Sequence, residues 1–185
     1  VWFRRMEDME TEELVARLRR QSVPNAKMMM GTAFHAVLEN PPDVIDEIEM
    51  NGFKFRIDCD AEIILPQIRE IRASKEYFVN GVAVTLSGGC DGITGNEVTD
   101  HKLTFRPEPE NYIDSFQWKA YLDIYHADIF TYYLYHAKED GDVISICDIS
   151  PLKLYRYPCM RDDVMDGISD LVYFAKEHLP EKFSA

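Results

Sequence analysis

The sequence predicts an α/β fold in which helices pack against one mixed β-sheet. Segments with a helical spacing of apolar residues are interspersed with segments in which apolar and polar residues alternate. Two Asn-Gly pairs, at positions 51–52 and 80–81, separate such alternating segments and are typical of tight hairpins. With 185 residues the chain is long enough to bury a core of its own, and we predict a single domain over residues 1–185.

The composition is acidic, with 33 Asp and Glu residues against 20 Lys and Arg residues and a formal net charge of −13. This balance argues against a protein that holds nucleic acid by bulk charge, because phosphate binding rests on Lys and Arg. It leaves open an enzyme that binds DNA through a local patch and a metal ion. No apolar run reaches the roughly 18 residues of a membrane-spanning helix, and no secretory signal is evident.

The first half of the chain predicts helices and two hairpins. The two leading helices cover residues 11–21 and 27–38, and Pro41-Pro42 prevents the second from continuing. The hairpin strands are expected at residues 47–50, 53–58, 75–79 and 82–90. Residues 66–74, between the hairpins, are predicted to be helical. A glycine-bearing turn at residues 92–96 then leads into a strand over residues 97–103.

The second half predicts a helix, a hairpin and a closing helix. Asp114 or Ser115 caps a helix that runs to about residue 125. Residues 129–137, rich in Ile, Phe, Thr and Tyr, form a strand that turns at 139–142 and returns over 143–149. Residues 161–179 have the apolar spacing of an amphipathic helix.

The segment from residue 88 to residue 104 carries the charged groups with the most distinctive placement. Side chains alternate along a strand, so Asp100 and Lys102 lie on one face. Asp91 precedes Asp100 across the glycine-bearing turn and approaches it if the two strands pair. Two adjacent carboxylates repel each other unless a cation lies between them, and Mg²⁺ prefers such oxygen ligands. The pattern predicts metal-assisted hydrolysis with Lys102 beside the developing negative charge, and its alternative is an exposed ion pair without function.

Two further pairs of residues have a four-residue spacing on predicted helices. His35 and Glu39 follow Gly31 on one face of the second helix. Gln117 and Tyr121 share one face of the helix that follows the central strands. Taken alone, each pair is better explained by an ordinary helix surface or by amphipathic packing.

Together and in this order, these residues resemble the motif series of the RecB-like branch of the PD-(D/E)XK nuclease superfamily. That series consists of GxxxH, an isolated Asp, (D/E)xK and QxxxY, and the resemblance covers about residues 28–150. The matching residues here are Gly31, His35, Asp91, Asp100, Lys102, Gln117 and Tyr121. In length and organisation the chain is most similar to phage recombination exonucleases of the YqaJ or lambda-exonuclease kind.

The resemblance implies a restriction-endonuclease-like fold and phosphodiester hydrolysis that depends on Mg²⁺ or Mn²⁺. It implies that Asp91 and Asp100 ligate the metal together with the backbone carbonyl of His101. By the same analogy, Lys102 is the catalytic lysine and His35 assists catalysis at the metal.

The remaining motif residues are assigned by the same resemblance. Glu39 resembles an additional metal-binding acid of the phage-type exonucleases, and Gln117 and Tyr121 position the DNA strand or the active-site lysine. Some relatives carry an iron–sulfur cluster on closely spaced C-terminal cysteines. Here Cys147 and Cys159 stand twelve positions apart and no cysteine pair has CxxC spacing, so we expect reduced thiols and no cluster.

The expected function is therefore that of a DNA exonuclease that acts at duplex ends in phage-type recombination or repair. The expected partners are DNA, a single-strand annealing protein and further copies of the chain, in the cytoplasm of a bacterial or phage-infected cell. The alternatives are a non-catalytic DNA- or protein-binding module on the same scaffold and a structure-specific endonuclease. We expect a local cationic strip to contact DNA, drawn from Arg17, Arg19, Arg20, Lys27, Arg106 and Lys119.

Overall fold

The computed structural model describes residues 10–39, 47–59, 68–106 and 108–183. Its centre is one seven-stranded mixed sheet, which confirms the predicted α/β fold. The strands are β1 (Ile48–Met50), β2 (Phe53–Ile57), β3 (Ile68–Val79), β4 (Val82–Thr94), β5 (Glu97–Thr104), β6 (Ile129–Asp140) and β7 (Val143–Tyr155). The α-helices are α1 (Thr11–Leu18), α2 (Ala26–Glu39), α3 (Glu110–Ile113), α4 (Phe116–Tyr125) and α5 (Met160–His178), and a 3-10 turn follows at Pro180–Lys182.

The strand order across the sheet is β1-β2-β7-β6-β5-β4-β3. The β2–β7 and β5–β6 pairs are parallel, and the other neighbours are antiparallel. Both predicted Asn-Gly hairpins are present. Each turn places its Asn and its Gly in the left-handed region, with φ of 50° and 80° at Asn51-Gly52 and 51° and 77° at Asn80-Gly81. These φ values are those of a type I′ turn, which matches the right-handed twist of the strands on either side.

The predicted helix over residues 66–74 is wrong. Its described part, from Ile68 onward, belongs to strand β3, which pairs antiparallel with β4. Residues such as Arg, Glu, Ala and Lys favour helices locally, but this preference is worth only a fraction of a kcal/mol per residue. Pairing along β4 and burial of Tyr77 and Val79 against α5 outweigh it.

Helices cover the two faces of the sheet unequally. Helix α2 packs on one face, where Phe34 lies against Phe55 and Tyr135. Helices α4 and α5 pack on the opposite face, and Trp118 and Leu122 of α4 share a buried cluster with residues of β4, β5 and β6. On the α2 side, the face of the β3–β4 hairpin carries exposed residues, and none of the described helices covers it. The central strands are therefore buried on both sides, whereas β3 and β4 present one open face.

Two further expectations concern the described chain as a whole. The four cysteines, Cys59, Cys90, Cys147 and Cys159, are all free thiols, as expected. None of the described helices combines the length with the apolar character that crossing a bilayer would require.

Candidate active site

The two carboxylates singled out in the sequence meet where β4 and β5 come together. The register pairs Gly92 with Thr99, so Asp91 and Asp100 are the next residues along the two strands. The backbone N–H of His101 donates a hydrogen bond of 2.6 Å to Oδ2 of Asp91. The side chain of Asp91 is thereby fixed against the main chain of β5, one residue beyond Asp100.

The regular alternation of side chains between the two faces of the sheet is interrupted near Asp91. Cys90 and Ile93 of β4 pack in the same core cluster although they are three residues apart, and regular alternation would put them on opposite faces. The change falls at Asp91, and the register places Glu70 of β3 opposite it. Glu70 has φ of 53°, a left-handed conformation that is uncommon for a non-glycine residue in a strand. The backbone irregularity thus coincides with the candidate site.

Asp100 is buried, with 3% of its surface exposed, and has a cation beside it. Nζ of Lys102 lies 2.5 Å from Oδ2 of Asp100, and Nε2 of Gln117 donates a hydrogen bond of 3.2 Å to Oδ1. Oδ2 is buried, and its partner among the described residues is the ammonium of Lys102. Burial and the charge of Asp91 raise the pKa of Asp100, although Lys102 opposes this shift. Burial opposes protonation of Lys102, but Asp100 outweighs it, so the pKa of Lys102 is raised.

His35 of α2 reaches Asp91 from the other side. Its Nδ1 lies 3.4 Å from Oδ1 of Asp91. Burial opposes the charged form of each partner, but their mutual interaction outweighs it. As a result, the pKa of His35 is raised and that of Asp91 is lowered. The predicted helix spacing therefore brings His35 to the site, as the sequence analysis expected.

A small cavity adjoins this pair. Its volume of about 10 Å³ is close to that of a single water-sized probe. Glu39 lines it together with His35 and Asp91, and so do Arg69 and Glu70 of β3. Burial and the charges of Asp91 and Glu39 raise the pKa of Glu70. Sequence reasoning missed Arg69 and Glu70, because their segment looks helical and the φ of Glu70 has no signature in the residue types.

Helix α4 forms the wall on the opposite side. Ser115 caps it by accepting a hydrogen bond from the N–H of Gln117, as the sequence predicted for this position. The hydroxyl of Tyr121 donates to the carbonyl of Gly89 at 2.8 Å. A Cβ on Gly88 would lie 2.7 Å from the Tyr121 ring, so only glycine allows this close approach. Gln117 thus contacts Asp100, while Tyr121 contacts the backbone of β4.

The imidazole of His101 faces away from these groups, as the alternation of β5 predicts. It stacks on Tyr133 with ring centroids 5.4 Å apart, and its Nδ1 lies 3.0 Å from the hydroxyl of Tyr135. Burial lowers the pKa of His101 to about 4, so the ring is neutral at neutral pH. Its side chain therefore belongs to the core beneath the site.

The donor groups fit a hard divalent cation. Among the residues that the structure describes, no three His, Cys, Asp or Glu side chains form a ready-made metal cluster. Mg²⁺ does not require one, because proteins commonly hold it with one or two carboxylates plus water and substrate phosphate. Asp91 and Asp100 are two such carboxylates, and Oδ2 of Asp100, which contacts Lys102, has a second lone pair for a cation.

Comparison with known proteins supports the fold. No family model matches the chain, and no curated protein matches it. Among solved structures, an alkaline exonuclease, LHK-Exo from Laribacter hongkongensis, is 17% identical with a TM-score of 0.50 over 93% of this chain and 81% of its own. At this identity, the likeness shows a shared fold.

Two other structures are similar at lower scores. LHK-Exo in complex with dAMP is 15% identical with a TM-score of 0.49 over 93% of this chain and 81% of its own. A protein named SSO0001 is 16% identical with a TM-score of 0.41 over 63% of this chain. The match covers 50% of the length of SSO0001.

Proposed function

We propose that this chain is a metal-dependent DNA exonuclease that hydrolyses phosphodiester bonds at DNA ends. The observation that carries the proposal is the meeting of Asp91, Asp100 and Lys102 where β4 and β5 come together, with Lys102 2.5 Å from a buried carboxylate. Burying charged groups costs free energy even when they are paired, and perturbed pKa values cluster at functional sites. The fold shared with an alkaline exonuclease agrees with this assignment.

Asp91 and Asp100 would hold Mg²⁺ or Mn²⁺, with the backbone carbonyl of His101 as a further ligand. His35 and Glu39 would complete the site from α2, through the cavity that both line. When bound, the cation would lower the pKa of a coordinated water and polarise the phosphodiester. Lys102 would stabilise the negative charge that develops on the reacting phosphate.

Gln117 and Tyr121 would position the lysine and the DNA strand. Gln117 holds Oδ1 of Asp100, so it orients the carboxylate that Lys102 contacts. The proposed partners beyond DNA are a single-strand annealing protein and further copies of this chain. The proposed setting is phage-type recombination or repair in the cytoplasm of a bacterial or phage-infected cell.

The test is nucleotide release from linear duplex DNA with Mg²⁺, compared among wild type, Asp100→Ala and Lys102→Ala. We expect each substitution to reduce the rate by at least about a hundredfold, the usual scale for removing a charge-stabilising group. Asp148→Ala, at an acid with 60% exposure, is the matched control and should retain wild-type activity. Equal release from all these proteins would reject the proposal, and cleavage of closed circular DNA would indicate an endonuclease instead.

A non-catalytic binding module is the second candidate, and one observation favours it. His35 and Lys102 already lie beside Asp91 and Asp100, so each carboxylate has a basic partner without a metal. Calorimetric titration with Mn²⁺ separates the two candidates. Uptake that disappears in Asp91→Asn supports the nuclease, whereas no uptake by wild type supports the binding module.

A further inference from the structure

A polar groove runs along the open face of the β3–β4 hairpin. Its volume is about 410 Å³, and Arg20, Arg72, Ser74, Ser87 and Gly89 line it. The register pairs Arg72 with Gly89 and Ser74 with Ser87, so these four residues form two adjacent rows of one sheet face. All four belong to the sheet, whereas Arg20 reaches the groove from beyond the end of α1.

The groove contains two cationic side chains, those of Arg20 and Arg72. Arg17 pairs with Glu13 and Arg19 with Glu181, so these two predicted DNA contacts are engaged within the protein. By contrast, the guanidinium groups of Arg20 and Arg72 make no ion pair or hydrogen bond with any described residue. In a chain with a net charge of −13, two arginines at one groove are a local concentration of positive charge, which Glu70 offsets in part through its interaction with Arg72.

The groove leads directly to the candidate site. Gly89 and Asp91 lie two residues apart on β4, which is about 7 Å along a strand. The hydroxyl of Tyr121 donates to the carbonyl of Gly89, so the wall of the site and the floor of the groove share one residue. Because Gly89 has no side chain, the sheet surface is bare beside Arg72, where a Cβ would lie at an ordinary contact distance of 3.5 Å from Cγ of Arg72.

We propose that this groove binds the sugar–phosphate backbone of the DNA strand whose end is hydrolysed at Asp91 and Asp100. Guanidinium groups, hydroxyls and exposed main chain are the groups that proteins use to contact phosphate, and they carry no base information. The strand would therefore be held irrespective of its sequence. Glu76 lies two residues beyond Ser74 on the same exposed face, and Glu70 lies two residues before Arg72, so this stretch of β3 has an acid at each end.

This inference rests on the proposed function, because it takes the end of the bound strand to be hydrolysed at the candidate site. Its test, however, measures binding of DNA and not hydrolysis. A short labelled single-stranded oligonucleotide is titrated in Ca²⁺ buffer and followed by fluorescence anisotropy, and a gel verifies that it stays intact. We expect Arg20→Gln and Arg72→Gln each to weaken binding about fivefold and to reduce the dependence on salt by about one phosphate contact. Ser87→Glu, at an exposed position, should weaken binding at least as much by adding a negative charge.

Arg17→Gln is the matched control, because it removes the same charge from α1 outside the groove. Three results would each overturn the inference. The first is that all three groove variants bind as wild type does, and the second is that Arg17→Gln loses as much affinity as the groove variants. The third is that the wild-type protein does not bind the oligonucleotide. The two proposals fail separately. Hydrolysis that proceeds unchanged in the groove variants leaves the nuclease standing without the groove, and groove-dependent binding without hydrolysis leaves the groove without the nuclease.

Discussion

At the residue scale, each carboxylate of the candidate site has one basic partner. Lys102 contacts Asp100, and His35 contacts Asp91. Asp100 nevertheless has a raised pKa, since its burial and the charge of Asp91 outweigh its lysine. The arrangement therefore favours the ionised form of Asp100 less than that of Asp91. An additional cation beside both carboxylates would favour ionisation of Asp100.

Removing the lysine tests this balance. In Lys102→Met without divalent metal, we expect the free energy of unfolding to fall by about 2 kcal/mol, because Asp100 is left buried without its cation. Lys102 is 30% exposed, so the loss should be smaller than for a fully buried pair. The double variant Asp100→Asn/Lys102→Met should regain at least half of it. Urea denaturation measures both, and purely additive single effects would contradict the expected coupling.

Sequence reasoning predicted much of the site at this scale, and the reason is local. Alternation along β5 is enough to put Asp100 with Lys102 and to turn His101 away. The role of Glu70 was not predictable, because its position opposite Asp91 follows from the pairing of β3 with β4 and from a positive φ. Residue types alone indicate neither the pairing nor the φ.

At the scale of elements, an ion pair with a buried carboxylate joins β3 to α4. Asp123 of α4 is 4% exposed and accepts hydrogen bonds from the hydroxyl of Tyr77 at 2.6 Å and from Nζ of Lys75 at 2.9 Å. Burial opposes ionisation of Asp123, but these two donors outweigh it, so its pKa is lowered. The ionised form of Asp123 therefore stabilises the fold.

This contact predicts a specific dependence on pH. Because the pKa of Asp123 is lower in the folded state, its contribution is complete above the ordinary carboxyl pKa of about 4 and disappears as the pH falls through the folded value. We expect Asp123→Asn to lower the free energy of unfolding by about 2 kcal/mol at neutral pH. The deficit relative to wild type should shrink below about pH 4. Urea unfolding at several pH values measures it, and a deficit that is constant with pH would contradict the assignment.

The success of sequence reasoning differs among the elements. The Asn-Gly turns determine both hairpins, because few other residue pairs adopt two successive left-handed conformations so readily. Segment 68–74 was predicted as a helix, since its local preferences oppose its final strand structure. β6 and β7 extend beyond their predicted ends at 137 and 149, because each continues as long as the other offers backbone partners.

At the scale of the whole molecule, the net charge of −13 makes divalent cations relevant to stability. A cation that binds only the folded protein at a hundred times its Kd adds about 2.7 kcal/mol of stability. For a chain of this length, that corresponds to a rise in Tm of about 5 to 10 °C. We expect this rise with Mn²⁺ in wild type but not in Asp91→Asn/Asp100→Asn. Thermal unfolding with EDTA and with NaCl of equal ionic strength as controls measures it, and an equal rise in the variant would indicate general charge screening.

The sheet order has a consequence for how copies of this chain meet. β3 lies at one margin of the sheet, and no described strand pairs with its outer side. The unpaired backbone groups of such an edge can form hydrogen bonds with a strand of another molecule, and charged side chains along the edge make this pairing unfavourable. β3 carries Arg69, Glu70, Arg72, Lys75 and Glu76 within its first nine residues. Self-association through a continuous intermolecular sheet is therefore disfavoured, and the same charges act as gatekeepers against aggregation.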